Sequence, residues 1–352
     1  MQLNYSYIGT GPISVIDAFH KKKAGKEVVL IDDKNQVGGA WVAIPVGEYG
    51  RLEIGCHIWS YNKKAYSFLE DFFDLDLVDL SPQPYFLKGK MKLTYDRKHL
   101  ITTLALIGKY AAKLKFGTLI KELKVNPSAR FPLFPKPYRY PRGGARELQD
   151  AIVKKIENGN LATQLNTQVV KLTQKKGGWV LHFKNGLTAE SENVVMTMTS
   201  GIKEVVLNDR TIELEHRKLN YTHFHLIVEG DFIKALSYVR VLRHPYIHRL
   251  SDITYQLTEN KAGHKVLLVG VFDSELPENL NEAEVVEELK AYLIENGFLA
   301  GDAKIAYAQK NRFETLYIAL DQVRELRKLD GLEVMATTDF IYGVHGRLQM
   351  CK

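Results

Sequence analysis

The segment from Tyr5 to Trp41 constrains this chain more than any other. Tyr5–Ile8 reads as a short apolar strand, Gly9-Thr10-Gly11-Pro12-Ile13-Ser14 as a tight glycine turn, and the residues through Lys23 as a helix stopped by Gly25. A second strand, Val28–Ile31, then ends on Asp32 and Asp33. Strand, turn, helix and strand in this register make a βαβ unit of the nucleotide-binding kind. Gly9 permits the turn, Gly11 lets the backbone approach a pyrophosphate, and the first turn of the helix presents partial positive charge to it. Asp32 follows about 20 residues on, where a carboxylate accepts hydrogen bonds from ribose hydroxyls. Ser14 stands where a third glycine is usual, and its small side chain adds little bulk between helix and strand.

The chain has 352 residues, 45% of them hydrophobic, which is enough for two domains with substantial cores. Its 48 basic and 41 acidic residues leave a net charge of +7 spread over mixed-sign surface. The run Lys21-Lys22-Lys23 ends the first helix, where cations complement the negative end of the dipole. This balance suits a small and possibly anionic substrate, and no segment interleaves basic with aromatic residues as a nucleic-acid module does. Two cysteines, Cys56 and Cys351, supply neither a disulfide framework nor a thiolate zinc site. No apolar run approaches the ~20 residues of a membrane span, and the chain enters its first strand without a leader. The expectation is a soluble cytoplasmic protein.

Further along, Ala65, Phe68, Leu69, Phe72 and Phe73 share one face of a helix, and residues 99–114 read as another helical stretch. Phe131–Pro141 is proline-dense and reads as a loop or domain crossing. Gly143-Gly144 opens a helix through Ile156, followed by strands at Thr167–Leu172, Trp179–Phe183 and Asn193–Thr197. The pattern then changes to Tyr221–Val228, Tyr238–Leu242, Ile247–Thr254 and Lys265–Phe272, which predicts an antiparallel sheet. Asn281 and Glu284 have the spacing of a capping box, and Leu332–Thr337 is a last strand. The fold class is α/β, with a Rossmann-like nucleotide domain (1–60, 141–215 and 331–352) interleaved with an α+β substrate domain (61–140 and 216–330).

A second glycine pair follows the acid at once, and Asp32 through Gly38-Gly39-Ala40-Trp41 resembles the extended FAD signature of the flavin-dependent amine-oxidase-like superfamily. Across most of the chain the resemblance is to its branch of UDP-galactopyranose mutase and protoporphyrinogen-oxidase-like proteins. Tyr140-Pro141-Arg142-Gly143-Gly144 is similar to that family's entry to a helix, Thr167-Gln168-Val169 to the strand whose valine backbone meets adenine, and Gly346-Arg347-Leu348 to the segment meeting flavin and pyrophosphate. The resemblance implies non-covalent FAD, held by Gly9, Gly11, Pro12, Ile13, Ser14, Asp32, Asp33, Gly38, Gly39, Ala40, Trp41, Val169 and Arg347. NAD(P)H is a possible reductant. Relatives continue beyond the position of Lys352 with a segment covering the flavin, which suggests cover from a partner or a homo-oligomer.

Gly55-Cys56-His57-Ile58-Trp59-Ser60 resembles the mutases' loop beside the isoalloxazine, with Ser60 replacing a histidine. This makes His57 the candidate catalytic residue, able to donate to the ring or move a proton; its other reading is a buried histidine bonded to a carbonyl. Arg243, Tyr246 and Arg249 are candidate substrate residues, because arginine's planar fork suits phosphate or carboxylate. The pairs His223/His225 and His244/His248 lack a third ligand or a helix, so no metal is expected. The activity implied is hydride transfer between flavin and a small organic substrate. Two alternatives are a nucleotide-sugar enzyme like the mutases and a non-catalytic flavin-fold subunit.

Overall fold

The computed structural model describes residues 3–55, 59, 62–80, 84–87, 90–93, 108–109, 117, 138–208, 210–234, 238–257, 263–276, 280–335 and 344. The first βαβ unit forms as its sequence reads. β1 (Leu3–Ile8) and β2 (Val28–Ile31) are parallel neighbours joined by α1 (Pro12–Lys23). Pro12 sits at the helix start, where its missing N–H costs nothing, and Lys21, Lys22 and Lys23 fall in the last turn. A hairpin follows, β3 (Ala43–Pro45) and β4 (Arg51–Glu53), and then α2 (Lys63–Phe73), which Asn62 caps by accepting from the Ala65 amide. Strands β5 (Leu77–Leu80), β6 (Pro84–Leu87), β7 (Lys90–Leu93) and β8 (Tyr138–Pro141) precede α3 (Gly144–Asn158).

β8 corrects the expectation of a loop through Pro141. The strand pairs antiparallel with β5 alone, so Pro141 lies at the end of a two-stranded ladder where its missing N–H breaks nothing, and the Arg142 amide resumes bonding to Asp76 O. Of the helix expected over 99–114 only residues 108–109 are described, and both are helical; the rest lies outside the described residues.

Next come β9 (Ala162–Gln164), β10 (Val169–Lys175), β11 (Gly178–Phe183), β12 (Thr188–Thr197), β13 (Glu204–Val206) and β14 (Thr211–Glu213). The second sheet begins with β15 (His216–Glu229), β16 (Val239–Val241), β17 (Ile247–Asp252) and β18 (His264–Val271). The chain closes through α4 (Glu282–Glu295), β19 (Lys304–Ile318), α5 (Leu320–Leu326) and β20 (Leu332–Met335).

In the first sheet the order is β14-β13-β10-β11-β12-β1-β2-β9, and β20 joins in parallel along Val194–Thr197 of β12. Alternation along β1 sends Tyr7 into a core with α1, α2 and α3 (Val15, Leu69, Leu148, Ile152), and Ile8 into the opposite core with Trp179, Met196 and Val334. The helix α2 and the strand after it pack in that first core, with Ala65, Tyr66, Leu69, Phe73 and Leu77 beside Tyr7 and Leu148. Residues of α2 and β5 therefore share one core with β1, α1 and α3.

In the second sheet the order is β19-β15-β18-β17-β16-β6-β7. One face (Phe224, Leu226, Val269) buries α4 through Leu289 and Leu293; the other (Ile227, Val266, Leu268) packs on Val46 and Leu52 of the hairpin region. The capping box at α4 forms reciprocally, Glu284 N to Asn281 Oδ1 at 3.1 Å and Asn281 N to Glu284 Oε2 at 2.7 Å. The root of the β15–β19 ribbon reaches the nucleotide domain, where Ile318 N donates to Met198 O at 2.9 Å. Among the described residues no helix is long and apolar enough to cross a membrane, and no three His, Cys, Asp or Glu side chains cluster as metal ligands do.

Candidate functional site

The glycine turn sits over the carboxyl ends of β1 and β2 and is tied to β2 by two contacts. Gly9 N donates to Ile31 O at 2.8 Å, and Thr10 gives both its amide (2.8 Å) and its Oγ1 (2.6 Å) to one oxygen of Asp32. The other Asp32 oxygen accepts from Lys34 N at 3.1 Å. A carboxylate has about four acceptor positions, and three of Asp32's are taken by its own turn, leaving about one for a ligand hydroxyl. Asp32 is buried and Asp33 beside it is exposed.

The helix start behind this turn is open. Gly11 is the N-cap, no side chain caps it, and no acidic residue lies in the first turn of α1. A Cβ placed on Gly11 meets nothing within 4 Å. Uncapped first-turn amides facing free space are the donor set a pyrophosphate needs. Gly38-Gly39 folds against the same turn: Gly38 N donates to Thr10 O at 3.2 Å, and Gly39, at φ +63°, brings its Cα so near that an added Cβ would lie 3.2 Å from Gly11 Cα. Only glycine combines that dihedral with that approach. Ser14 is buried, with Oγ 3.7 Å from Met335 Sδ at the end of β20, so the third-glycine position is closed by a hydroxyl that fits there.

Gln149 of α3 holds the glycine pair in place, donating to Val37 O at 3.1 Å while its own oxygen accepts from Arg51 Nη2 at 2.5 Å. Ala40 is exposed, Ile13 is half-buried, and Trp41 lies edge-on to Trp59, ring centroids 6.1 Å apart. Past β9, Asn166 N and Thr167 N donate to Lys34 O and Asp32 O, each at 2.9 Å. An open groove of about 250 Å³ lies there, lined by Asn166, Thr167, Gln168, Phe183, Lys184 and Asn185, one residue before the buried Val169.

The three candidate substrate residues do not converge. Tyr246 points to the α4 side of the second sheet, where its hydroxyl donates to Glu288 Oε2 at 2.6 Å; burial first and then that carboxylate keep the phenol protonated. Arg243 is exposed in a left-handed turn, φ 66°. Arg249 lies over the Tyr238 ring at 4.7 Å, with Arg240 as its partner in register. His57 and Arg347 lie outside the described residues, as do Cys56, Ser60 and Cys351.

Two buried groups meet where β4 lies against the second sheet: His225, weighed in the sequence only as half of a metal pair, and Glu53, which sequence reasoning passed over. His225 Nε2 lies 2.9 Å from Glu53 O and its Nδ1 lies 2.8 Å from Asn311 Nδ2, so the ring carries its proton on Nε2. Burial pushes this histidine down to about 4, and it is neutral at pH 7. The Glu53 carboxyl accepts from Tyr140 OH at 2.8 Å and from Ala145 N at 3.3 Å. Burial, opposed by these bonds, pushes it up to about 7. A glutamate between Leu52 and Ile54, just before Gly55, was the one available sequence signal.

Comparison with known proteins finds relatives of the same fold. The family of flavin containing amine oxidoreductases matches residues 61–227. Among solved structures, a variant of putrescine oxidase from a redesign of cofactor binding superposes with a TM-score of 0.67 at 14% identity, covering 100% of this chain and 98% of that one. Cyclohexylamine oxidase from Brevibacterium oxydans gives 0.65 at 11% identity, with 100% and 98% covered. Reduced UDP-galactopyranose mutase gives 0.62 at 13%, with 90% and 82% covered. At these identities the likeness is one of fold. No curated protein matches the sequence.

Proposed function

We propose that this chain is a member of the flavin-dependent amine-oxidase-like superfamily, as the family match over residues 61–227 and the fold support, and that it binds FAD non-covalently and transfers hydride between the flavin and a small organic substrate. The observation that carries the reading is the uncapped start of α1 opening on free space at Gly11, with Gly38-Gly39 folded against it. When bound, FAD would supply the hydride-accepting ring. The residues of this chain would do the rest. First-turn amides at Ile13 and Ser14 would receive the pyrophosphate, the remaining acceptor position of Asp32 would take one ribose hydroxyl, and the groove at Asn166–Gln168 beside Val169 would receive the adenosine end. By resemblance, His57 would stand beside the ring and Arg347 would offset pyrophosphate charge. The substrate would enter from the second sheet's inward face, the side that carries His225.

The visible spectrum of purified protein, before and after reconstitution with FAD and then denaturation, tests this. A flavin spectrum with FAD released into the supernatant is expected. Protein that stays colourless with excess FAD would refute the reading and leave a non-catalytic flavin-fold subunit. The fold likeness to UDP-galactopyranose mutase supports a second reading, a nucleotide-sugar enzyme. In that case UDP alone perturbs the bound flavin's spectrum, whereas under the first reading it does not and an oxidisable substrate bleaches the flavin anaerobically.

A further inference from the structure

Glu53 has every polar group engaged by a different part of the molecule. Its carboxyl receives Tyr140 OH of β8 and the Ala145 amide at the start of α3, its amide donates to Gln256 Oε1 at 3.3 Å, and its carbonyl receives His225 of β15. Gln256 is buried and so close to Gly144, itself at φ +65°, that a Cβ there would lie 2.3 Å from the amide carbon. One residue thus joins the hairpin, the helix that clamps the glycine pair, and the substrate sheet. Among the described residues the groups facing it are uncharged: Tyr140 from β8, the helix amides of α3, Gln256 with Tyr255 beside it, and the neutral His225. The nearby ionised groups are turned elsewhere, Arg51 to Gln149 and Asp150, and Glu147 to Gly143 N and Asp76 N.

We propose that Glu53 is a proton-dependent positioning residue: protonated, it fixes β4, the start of α3 and the substrate sheet to one another, and loss of that proton loosens the junction. Among the described residues the Glu53 carboxyl is met by neutral donors, Tyr140 OH and the Ala145 amide, and by no cation, so ionisation must draw in water or separate the elements that exclude it. The effect falls near neutrality, because burial has moved the group there. Neither the junction nor its titration requires bound FAD.

Hydrogen exchange read by mass spectrometry on peptides covering residues 51–55 and 140–146, in the apoprotein from pH 6 to pH 8.5, tests the proposal. After correction for intrinsic rates, protection in the wild type is expected to fall about tenfold or more with a midpoint near pH 7. Glu53→Gln, which mimics the protonated acid, is expected to remove that fall. Tyr140→Phe, which deletes a donor to the anion, is expected to move the midpoint upward. Because the reading is a pH profile, a merely structural Glu53 would leave the slope unchanged. A wild-type profile that is flat, or the same slope in Glu53→Gln, overturns the proposal. If Glu53→Gln does not fold, an unmoved midpoint in Tyr140→Phe overturns it instead.

Discussion

Thr10→Val isolates the contact that ties the glycine turn to β2. Thr10 is fully buried, and its Oγ1 lies 2.6 Å from a carboxylate oxygen that also holds the Thr10 amide. Valine conserves the shape and deletes one donor to a charged acceptor, a bond worth about 1.5–3 kcal/mol. The methyl that replaces the hydroxyl abuts the carboxylate and offers nothing in return, so the upper half of that range is expected. At about 2.1 cal/mol/K per residue, 352 residues give an unfolding entropy near 0.7 kcal/mol/K, and Tm falls by about 3–4 °C. Urea unfolding of the apoprotein at pH 7 supplies the free energy, and a thermal scan checks it. FAD affinity is expected to hold within about threefold, since losing the hydroxyl frees a second Asp32 acceptor position for the ribose. Asp32→Asn is the contrast: all three groups aimed at the carboxylate are donors, so an amide leaves at least one of them facing N–H, at a cost of about 3 kcal/mol. A Thr10→Val protein within about 0.5 kcal/mol of wild type would refute the reasoning, as would equal losses of FAD binding in the two variants.

Three other outcomes follow from the same contacts. Gly39→Ala is expected to destabilise by about 1–2 kcal/mol through its left-handed dihedral, and to abolish flavin retention on gel filtration because the new Cβ pushes Gly11 from its place. Asn281→Ala removes the side-chain half of the α4 capping box and is expected to cost about 1 kcal/mol in urea unfolding, without change in bound flavin. His225 is held neutral, with a folded value near 4 below its unfolded 6.5, so its share of stability is present above pH 6.5 and is lost as pH falls toward 4. The loss amounts to about 3 kcal/mol. His225→Gln keeps a donor for Glu53 O and an acceptor for Asn311, and its stability relative to wild type should therefore rise as pH falls through that window; a constant difference between the two proteins would count against the assignment.

The parts of this fold that were legible in the sequence are those whose signal is local. The βαβ unit announces itself through Gly9, Gly11, Gly38, Gly39 and Asp32, each placed by backbone geometry within forty residues, and the α4 cap is legible through Asn281 and Glu284 alone. β19 was not read, although it is the partner of β15 along its whole length. Its inward positions include Gln309 and Asn311, which bond to Pro45 O and to His225, and these polar residues break the apolar alternation by which strands are recognised. The core that α2 joins was not legible for a related reason: Phe68, Leu69 and Phe73 define an apolar face but do not say that it packs with Tyr7 and Leu148. Glu53 is the extreme case. Its burial depends on Tyr140, Ala145, His225 and Gln256, which are 87, 92, 172 and 203 residues away, and no window of sequence contains them. Tyr246 shows the converse, since an arginine-tyrosine cluster legible in the chain is divided by strand alternation between the two faces of a sheet.

The position of β20 has a consequence for how the protein is made. Residues 332–335 complete the sheet beside Val194–Thr197 of β12, and Met335 closes over Ser14 in the first turn of α1. About 300 residues of translation separate the two halves of that contact, which at 5–20 residues per second is roughly 15–60 s. Throughout that interval the glycine turn exists without its neighbour, and for the last ~140 residues of it, roughly 7–28 s, the apolar edge of β12 at Val194, Val195 and Met196 is open to any strand that reaches it. The first sheet cannot be finished as it emerges from the ribosome; it waits, half closed, for the strands of the second sheet that lie between β12 and β20 in the chain. Ribosome-bound chains arrested before residue 332 should therefore be the most aggregation-prone species this sequence passes through, and FAD should be unable to rescue them.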